Sequence, residues 1–156
     1  MSARGVADAL YRRFLRLTHP FLRVCLNKLD PGRRGALVAL WHEGKILVIK
    51  NSYLDFYSLP GGHAKRNESS EAAAVRELLE EVGVTANPDE LRRRDDLTRD
   101  FYGRLALFEL DAPSLPAIVI DNREVVVAEF LTPSQALERE LYPPVRALIA
   151  ERASRD

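Results

Sequence analysis

Between Gly62 and Val84 the chain reads as a glycine turn followed by one helix, and that helix carries more carboxylate than it would tolerate alone. Glu77, Glu80 and Glu81 stand at i, i+3 and i+4 and share one helical face, with Val75, Leu78, Leu79 and Val82 expected on the opposite, apolar face. Like charges at this spacing repel by about 0.2–0.5 kcal/mol per pair in an isolated helix. A divalent cation reverses the sign of that interaction, because a hard ion such as Mg²⁺ takes oxygen ligands and binds through a few carboxylates together with substrate phosphates. Local punctuation agrees. Tyr57 to Pro60 reads as a strand end, Gly61-Gly62 as a turn without Cβ atoms, Ser69 or Ser70 as the helix cap, and Gly83 as the residue that stops the helix. The fold must therefore present a strand, a glycine loop and an acidic helix in direct succession.

Gly62, Glu68, Arg76-Glu77-Leu78, Glu80-Glu81 and Gly83-Val84 fill every fixed position of the pattern G-x5-E-x7-R-E-U-x-E-E-x-G-U, with U aliphatic, and the segment resembles the Nudix box of the Nudix hydrolases. The resemblance implies an α/β (α+β) fold, a Nudix-type α/β/α sandwich with a central mixed sheet. It also implies a divalent-metal-dependent pyrophosphohydrolase that cleaves the diphosphate of a nucleoside diphosphate linked to another moiety (NDP-X) by attack of water at phosphorus. The implied ion is Mg²⁺, with Mn²⁺ as the alternative, held by the Gly61 carbonyl, Glu80 and Glu81, with Glu77 either a further ligand or the base. Arg76 and Glu68 are implied to form an ion pair that steadies the carboxylates. Glu124 falls where many members carry a further acidic residue that binds metal or acts as base, and it joins the candidate catalytic set. The Trp often found just before the motif is Tyr57 here, a change that bears on the substrate pocket and not on the chemistry. Tyr102 lies 18 residues beyond Val84, similar to the placement of a tyrosine in diadenosine polyphosphate hydrolases, and this tilts the expected substrate toward dinucleotide polyphosphates. Two alternatives stay open: a catalytically silent Nudix-fold module that binds a nucleotide or regulates, and an RNA 5′-end pyrophosphohydrolase. The intact Glu77, Glu80 and Glu81 favour catalysis, since a binding-only module has no need of the full metal constellation.

Elsewhere the patterns are those of a sheet with helices. Ala36 to Trp41 and Ile46 to Lys50 flank His42-Glu43-Gly44-Lys45 and are predicted to form a β-hairpin. Phe101 to Leu110 and Val125 to Phe130 read as further strands, and Ala117 to Ile120 as a short one. Thr132-Pro133 and Pro143-Pro144 mark two helix starts, the second helix running through Val145, Leu148 and Ile149. Trp41, Phe101 and Tyr102 are expected in the sheet core or a pocket wall, and Glu129 as an exposed strand residue.

A chain of 156 residues is long enough for one core, assigned here to a hydrolase domain over 35–156. Residues 1–34 form a basic amphipathic helical leader, in which Ala7, Leu10, Tyr11, Phe14 and Leu17 recur at helical spacing, Pro20 interrupts, and Leu22, Cys25, Leu26 and Leu29 resume. The leader carries eight basic and two acidic residues, so its charge is +6 and that of the remainder −6. Its apolar stripe is expected to pack on the body or against a second copy in a homodimer, with RNA or an anionic surface as the minority reading. No run of about 18 apolar residues predicts a transmembrane segment. The single cysteine, Cys25, excludes an internal disulfide and makes a cytoplasmic setting the default. The expected partner is a nucleotide-type small molecule.

Overall fold

The computed structural model describes residues 5, 7–18, 34–100 and 103–155; His19, Cys25, Phe101 and Tyr102 lie outside them. β1 (Arg34–His42) is the centre of the fold, and its six consecutive apolar residues, Ala36 to Trp41, are all buried, as a strand covered on both faces requires. It turns through Glu43-Gly44 into antiparallel β2 (Lys45–Asn51), with Trp41 opposite Ile46. β4 (Gly61–His63) joins β1 antiparallel and β6 (Gly103–Asp111) joins it parallel. β3 (Tyr57–Ser58) and β7 (Val125–Leu131) pair antiparallel with β2, and β5 (Arg92–Asp100) closes on β6. The sheet is therefore mixed, as expected.

Alternation along β1 and β2 sends side chains to two different layers. Leu37, Ala39, Trp41, Ile46 and Val48 meet Val145, Leu148 and Ile149 of α4 (Pro143–Ala153), with Ala136 of α3 (Pro133–Leu137) in the same core. Ala36, Val38, Leu40, Leu47 and Ile49 meet Ala74, Leu78 and Val82 of α2 (Ser70–Val82). Helices thus cover both faces of the sheet, and α1 (residues 7–18) adds the helical N-terminal part.

One strand was not expected, and three expectations need correction. β5, with the sequence Arg-Arg-Arg-Asp-Asp-Leu-Thr-Arg-Asp, shows no apolar alternation; it is an outermost strand held by its ladder to β6 and by bridges such as Arg92 to Asp111 at 2.6 Å and Arg94 to Glu109 at 3.2 Å. Charge on such an edge discourages further pairing. Ala117 to Ile120 is not a strand but irregular chain, tied to α2 where the Val119 N–H donates to the Val82 carbonyl at 3.0 Å. In α2 the buried face runs through Ala74, Leu78, Glu81 and Val82, whereas Leu79, one helical step round from Leu78, is 54% exposed. Finally, Leu10, Phe14 and Leu17 of α1 are 64, 61 and 72% exposed, so they do not pack on the body. α1 is attached by charge instead: Arg16 to Asp55 at 2.6 Å, Asp8 to Arg123 at 2.9 Å, and Tyr11 beneath the Arg123 guanidinium.

Candidate active site

The ends of α2 fix its register. The Ser69 hydroxyl accepts the Ala72 N–H at 3.1 Å, and at the other end the Gly83 and Val84 N–H groups return to the Leu79 and Leu78 carbonyls. In that register Glu81 lies buried under the glycine loop. Its Oε2 accepts the Gly61 N–H at 2.8 Å and its Oε1 the Asn51 side-chain amide at 3.4 Å. The two glycines are needed for separate reasons. Gly61 has φ +150°, and a Cβ there would collide with the Ala36 carbonyl oxygen; a Cβ on Gly62 would stand 2.5 Å from Glu77 Oε1.

Arg76 organises the rest of the helix. Its Nε and Nη2 fork onto Glu68 at 2.8 and 2.9 Å, Nη1 reaches Glu77 at 2.7 Å and Glu80 at 3.0 Å, and Nη2 also donates to the His63 carbonyl at 3.0 Å. All five guanidinium donors are thereby used, a pattern a lysine cannot reproduce. Glu124 arrives from the start of β7. Asp121 accepts the N–H groups of Arg123 and Glu124 at 2.9 and 3.1 Å, the Glu124 carbonyl accepts the Ser52 N–H at 2.8 Å, and Glu124 Oε1 accepts the Tyr53 hydroxyl at 2.8 Å.

The electrostatics follow from this geometry. Burial pushes the Glu81 carboxyl up to about 8, reinforced by Glu77 and Glu124 and opposed by the Gly61 and Asn51 bonds. Burial also raises Glu77, against the pull of Arg76, and Glu80 and Glu124 raise it further. The Arg76 bonds hold Glu68 down at about 2. Burial, then Glu124, carries the Tyr53 phenol far above its usual range, so it stays protonated and donates.

Of the residues singled out by sequence, Glu77, Glu81, Glu124 and Gly61 come together, while Glu68 and Glu80 gather on Arg76. Asn51 and Tyr53 complete the cluster and were not legible, since each follows an ordinary apolar strand without a motif of its own. The donor set consists of hard oxygens in a buried field of excess negative charge, which suits Mg²⁺ or Mn²⁺. Among the described residues no three His, Cys, Asp or Glu side chains already stand as a closed coordination group. Beside the cluster lies a cavity of about 120 Å³ bounded by Asn51, Tyr53, Gly61, Gly62, Phe56 and Tyr142, the last two rings stacked at 5.6 Å. Tyr57 does not line this cavity; it lies between Lys50 and Arg139, so the departure from Trp is not felt there.

A family model described as "NUDIX domain" matches residues 31–151. A Bacillus subtilis (strain 168) protein described as "Putative 8-oxo-dGTP diphosphatase" is 44% identical over 54 residues, 34% of this chain and 36% of that protein. The Danio rerio m7GpppN-mRNA hydrolase NUDT17 is 30% identical over 100 residues, 64% of this chain and 30% of that one. The chain thus spans about a third of the length of these curated relatives. The E. coli dihydroneopterin triphosphate pyrophosphohydrolase superimposes with a TM-score of 0.61 at 20% identity, covering 76% of this chain and 92% of that one, a likeness of fold.

Proposed function

Because the chain belongs to the Nudix family, we propose that it is a divalent-metal-dependent hydrolase of a phosphoanhydride bond in a nucleoside diphosphate linked to another moiety. The observation that carries this reading is the placement of Glu77 and Glu81, both carboxyls raised from their ordinary value by burial, against a glycine loop that opens on an aromatic-walled cavity. Such a field repels a diphosphate until a cation lies between them. Glu77, Glu80, Glu81 and the Gly61 carbonyl would hold Mg²⁺ or Mn²⁺, which when bound lowers the pKa of a water and offsets phosphate charge.

Arg76 and Glu68 position Glu77 and carry no proton themselves. For the proton of the attacking water, Glu124 is the better supported acceptor: Tyr53 holds its Oε1, and its Oε2 has no hydrogen-bond partner among the described residues. Glu77 is the other candidate base. Phe56 and Tyr142 offer a face for the base or the second moiety. The substrates named for the three proteins above share a phosphoanhydride bond and little else, so the reading extends to that bond. The tilt toward dinucleotide polyphosphates rests on Tyr102, outside the described residues. A leader over 1–34, a hydrolase domain over 35–156 and a cytoplasmic setting belong to the same proposal; no helix among the described residues is long and apolar enough to cross a membrane.

The test is a panel of dinucleotide polyphosphates, nucleotide sugars, ADP-ribose, nucleoside triphosphates and capped RNA with Mg²⁺ or Mn²⁺, with products separated by chromatography. Hydrolysis is expected for at least one class, abolished by EDTA and restored by metal. Undiminished turnover in EDTA, with metal removal verified, overturns the metal dependence; no turnover anywhere favours the silent module.

A further inference from the structure

α1 lies against the corner where β2 ends and β7 begins, and the two enclose an open cleft of about 360 Å³ lined by Arg12, Arg13, Arg16, Ser52 and Val126. The charge there is unbalanced. Asp55 pairs with Arg16 and Asp8 with Arg123, but Arg12 and Arg13 have no carboxylate partner among the described residues. The unpaired Arg12 and Arg13 guanidinium groups therefore face an open cleft with their charge unneutralised, and the complement of such a wall is an oxyanion such as phosphate.

The cleft shares a wall with the carboxylate cluster. Asn51 bonds Glu81, Ser52 lines the cleft and its N–H bonds the Glu124 carbonyl, and the Tyr53 hydroxyl bonds the Glu124 carboxylate. Val126 lies two residues beyond Glu124 on the other side. We propose that this cleft is a phosphate subsite, which takes phosphate of the substrate beyond the scissile diphosphate. The proposal rests on the hydrolase reading and narrows it to substrates with three or more phosphates: the carboxylates, through their cation, receive the diphosphate, and the arginines receive the charge that the carboxylates would repel.

The experiment titrates the full chain in EDTA with inorganic tripolyphosphate by calorimetry, at low and high salt. Saturable binding, weakened by salt, is expected, and R12A/R13A should lose at least about tenfold in affinity while R12K/R13K retains most of it. With Mg²⁺, the ratio of kcat/KM for a three-phosphate over a two-phosphate substrate should fall by a similar factor in R12A/R13A. Equal affinity in wild type and R12A/R13A overturns the subsite. Should the double variant lose its circular dichroism signature, the exposed Arg13→Ala alone must weaken binding, and if it does not the proposal fails. Binding to phosphatidylserine vesicles through the same arginines, without tripolyphosphate binding, assigns the cleft to a lipid headgroup and also overturns it. Arginine-dependent tripolyphosphate binding without hydrolysis of any panel member keeps the phosphate site and defeats the hydrolase reading; metal-dependent hydrolysis indifferent to these arginines does the reverse.

Discussion

Glu81 concentrates the electrostatic strain of the fold. Its folded pKa, raised to about 8 by burial first and then by Glu77 and Glu124, lies above the ordinary 4.5. The folded state therefore binds that proton more tightly than the unfolded chain, so the stability linked to it is fully present below pH 4.5 and is lost as pH rises through about 8. In chelator, the melting temperature measured by calorimetry should fall as pH is raised through this window, and Glu81→Gln should flatten the slope; parallel slopes in the two proteins would reject the assignment. Glu68 acts with the opposite sign. Lowered to about 2 by Arg76, its contribution is present above pH 4.5 and is lost as pH falls through about 2, so the two windows separate. With Mg²⁺ present, Glu81→Gln keeps the shape and removes the charge, and kcat should drop at least about a hundredfold, the scale of losing a group that stabilises transition-state charge. Unchanged kcat would remove Glu81 from the set of essential ligands.

At the scale of elements, the strand, glycine loop and helix over residues 57–83 can be tested by two substitutions that differ by one position. The Cβ of Gly62→Ala would meet the far end of the Glu77 side chain, which can swing away, so melting temperature should change little while kcat falls. The Cβ of Gly61→Ala would meet the Ala36 backbone at a φ that side chains rarely adopt, so stability itself should drop, by about 1–3 kcal/mol for the backbone strain alone. Equal thermal effects of the two would contradict the geometry. This segment was legible because caps, turn residues and carboxylates all pointed to one local structure. β1 and β2 were legible from their apolar runs. β5 was not, because an edge strand draws its stability from ladder bonds, which leave no periodicity in side chains. Leu79 lies at the solvent edge of the expected apolar face and Glu81 at its buried edge, because spacing says which residues share a face and not how that face is rotated against the sheet; Glu81 there accepts the Gly61 N–H.

For the molecule as a whole, the site is assembled from the ends of three separated segments: Asn51 at the end of β2 with Tyr53 just beyond it, the carboxylates of α2, and Glu124 before β7. Sequence spacing within α2 reveals one of the three, while the other two meet it only because β2 and β7 pair, with Asn51 opposite Val125. The apolar stripe of α1 faces solvent, and the ion pairs that attach it to the body are largely exposed. Exposed pairs contribute little to stability, so removal of residues 1–18 should lower the melting temperature by only a few degrees, and the loss should shrink further at high salt. The triple variant L10S/F14S/L17S removes the stripe without touching the arginines and should melt with the wild type when the protein is dilute, because substitutions at exposed positions rarely matter to a monomer. If the stripe instead meets a second copy, the triple variant will melt earlier as concentration rises and its mass by light scattering will fall to that of one chain. The two measurements thus separate a helix that serves the cleft from one that also holds an assembly together, and truncation alone, which removes both faces of α1 at once, would leave these roles fused.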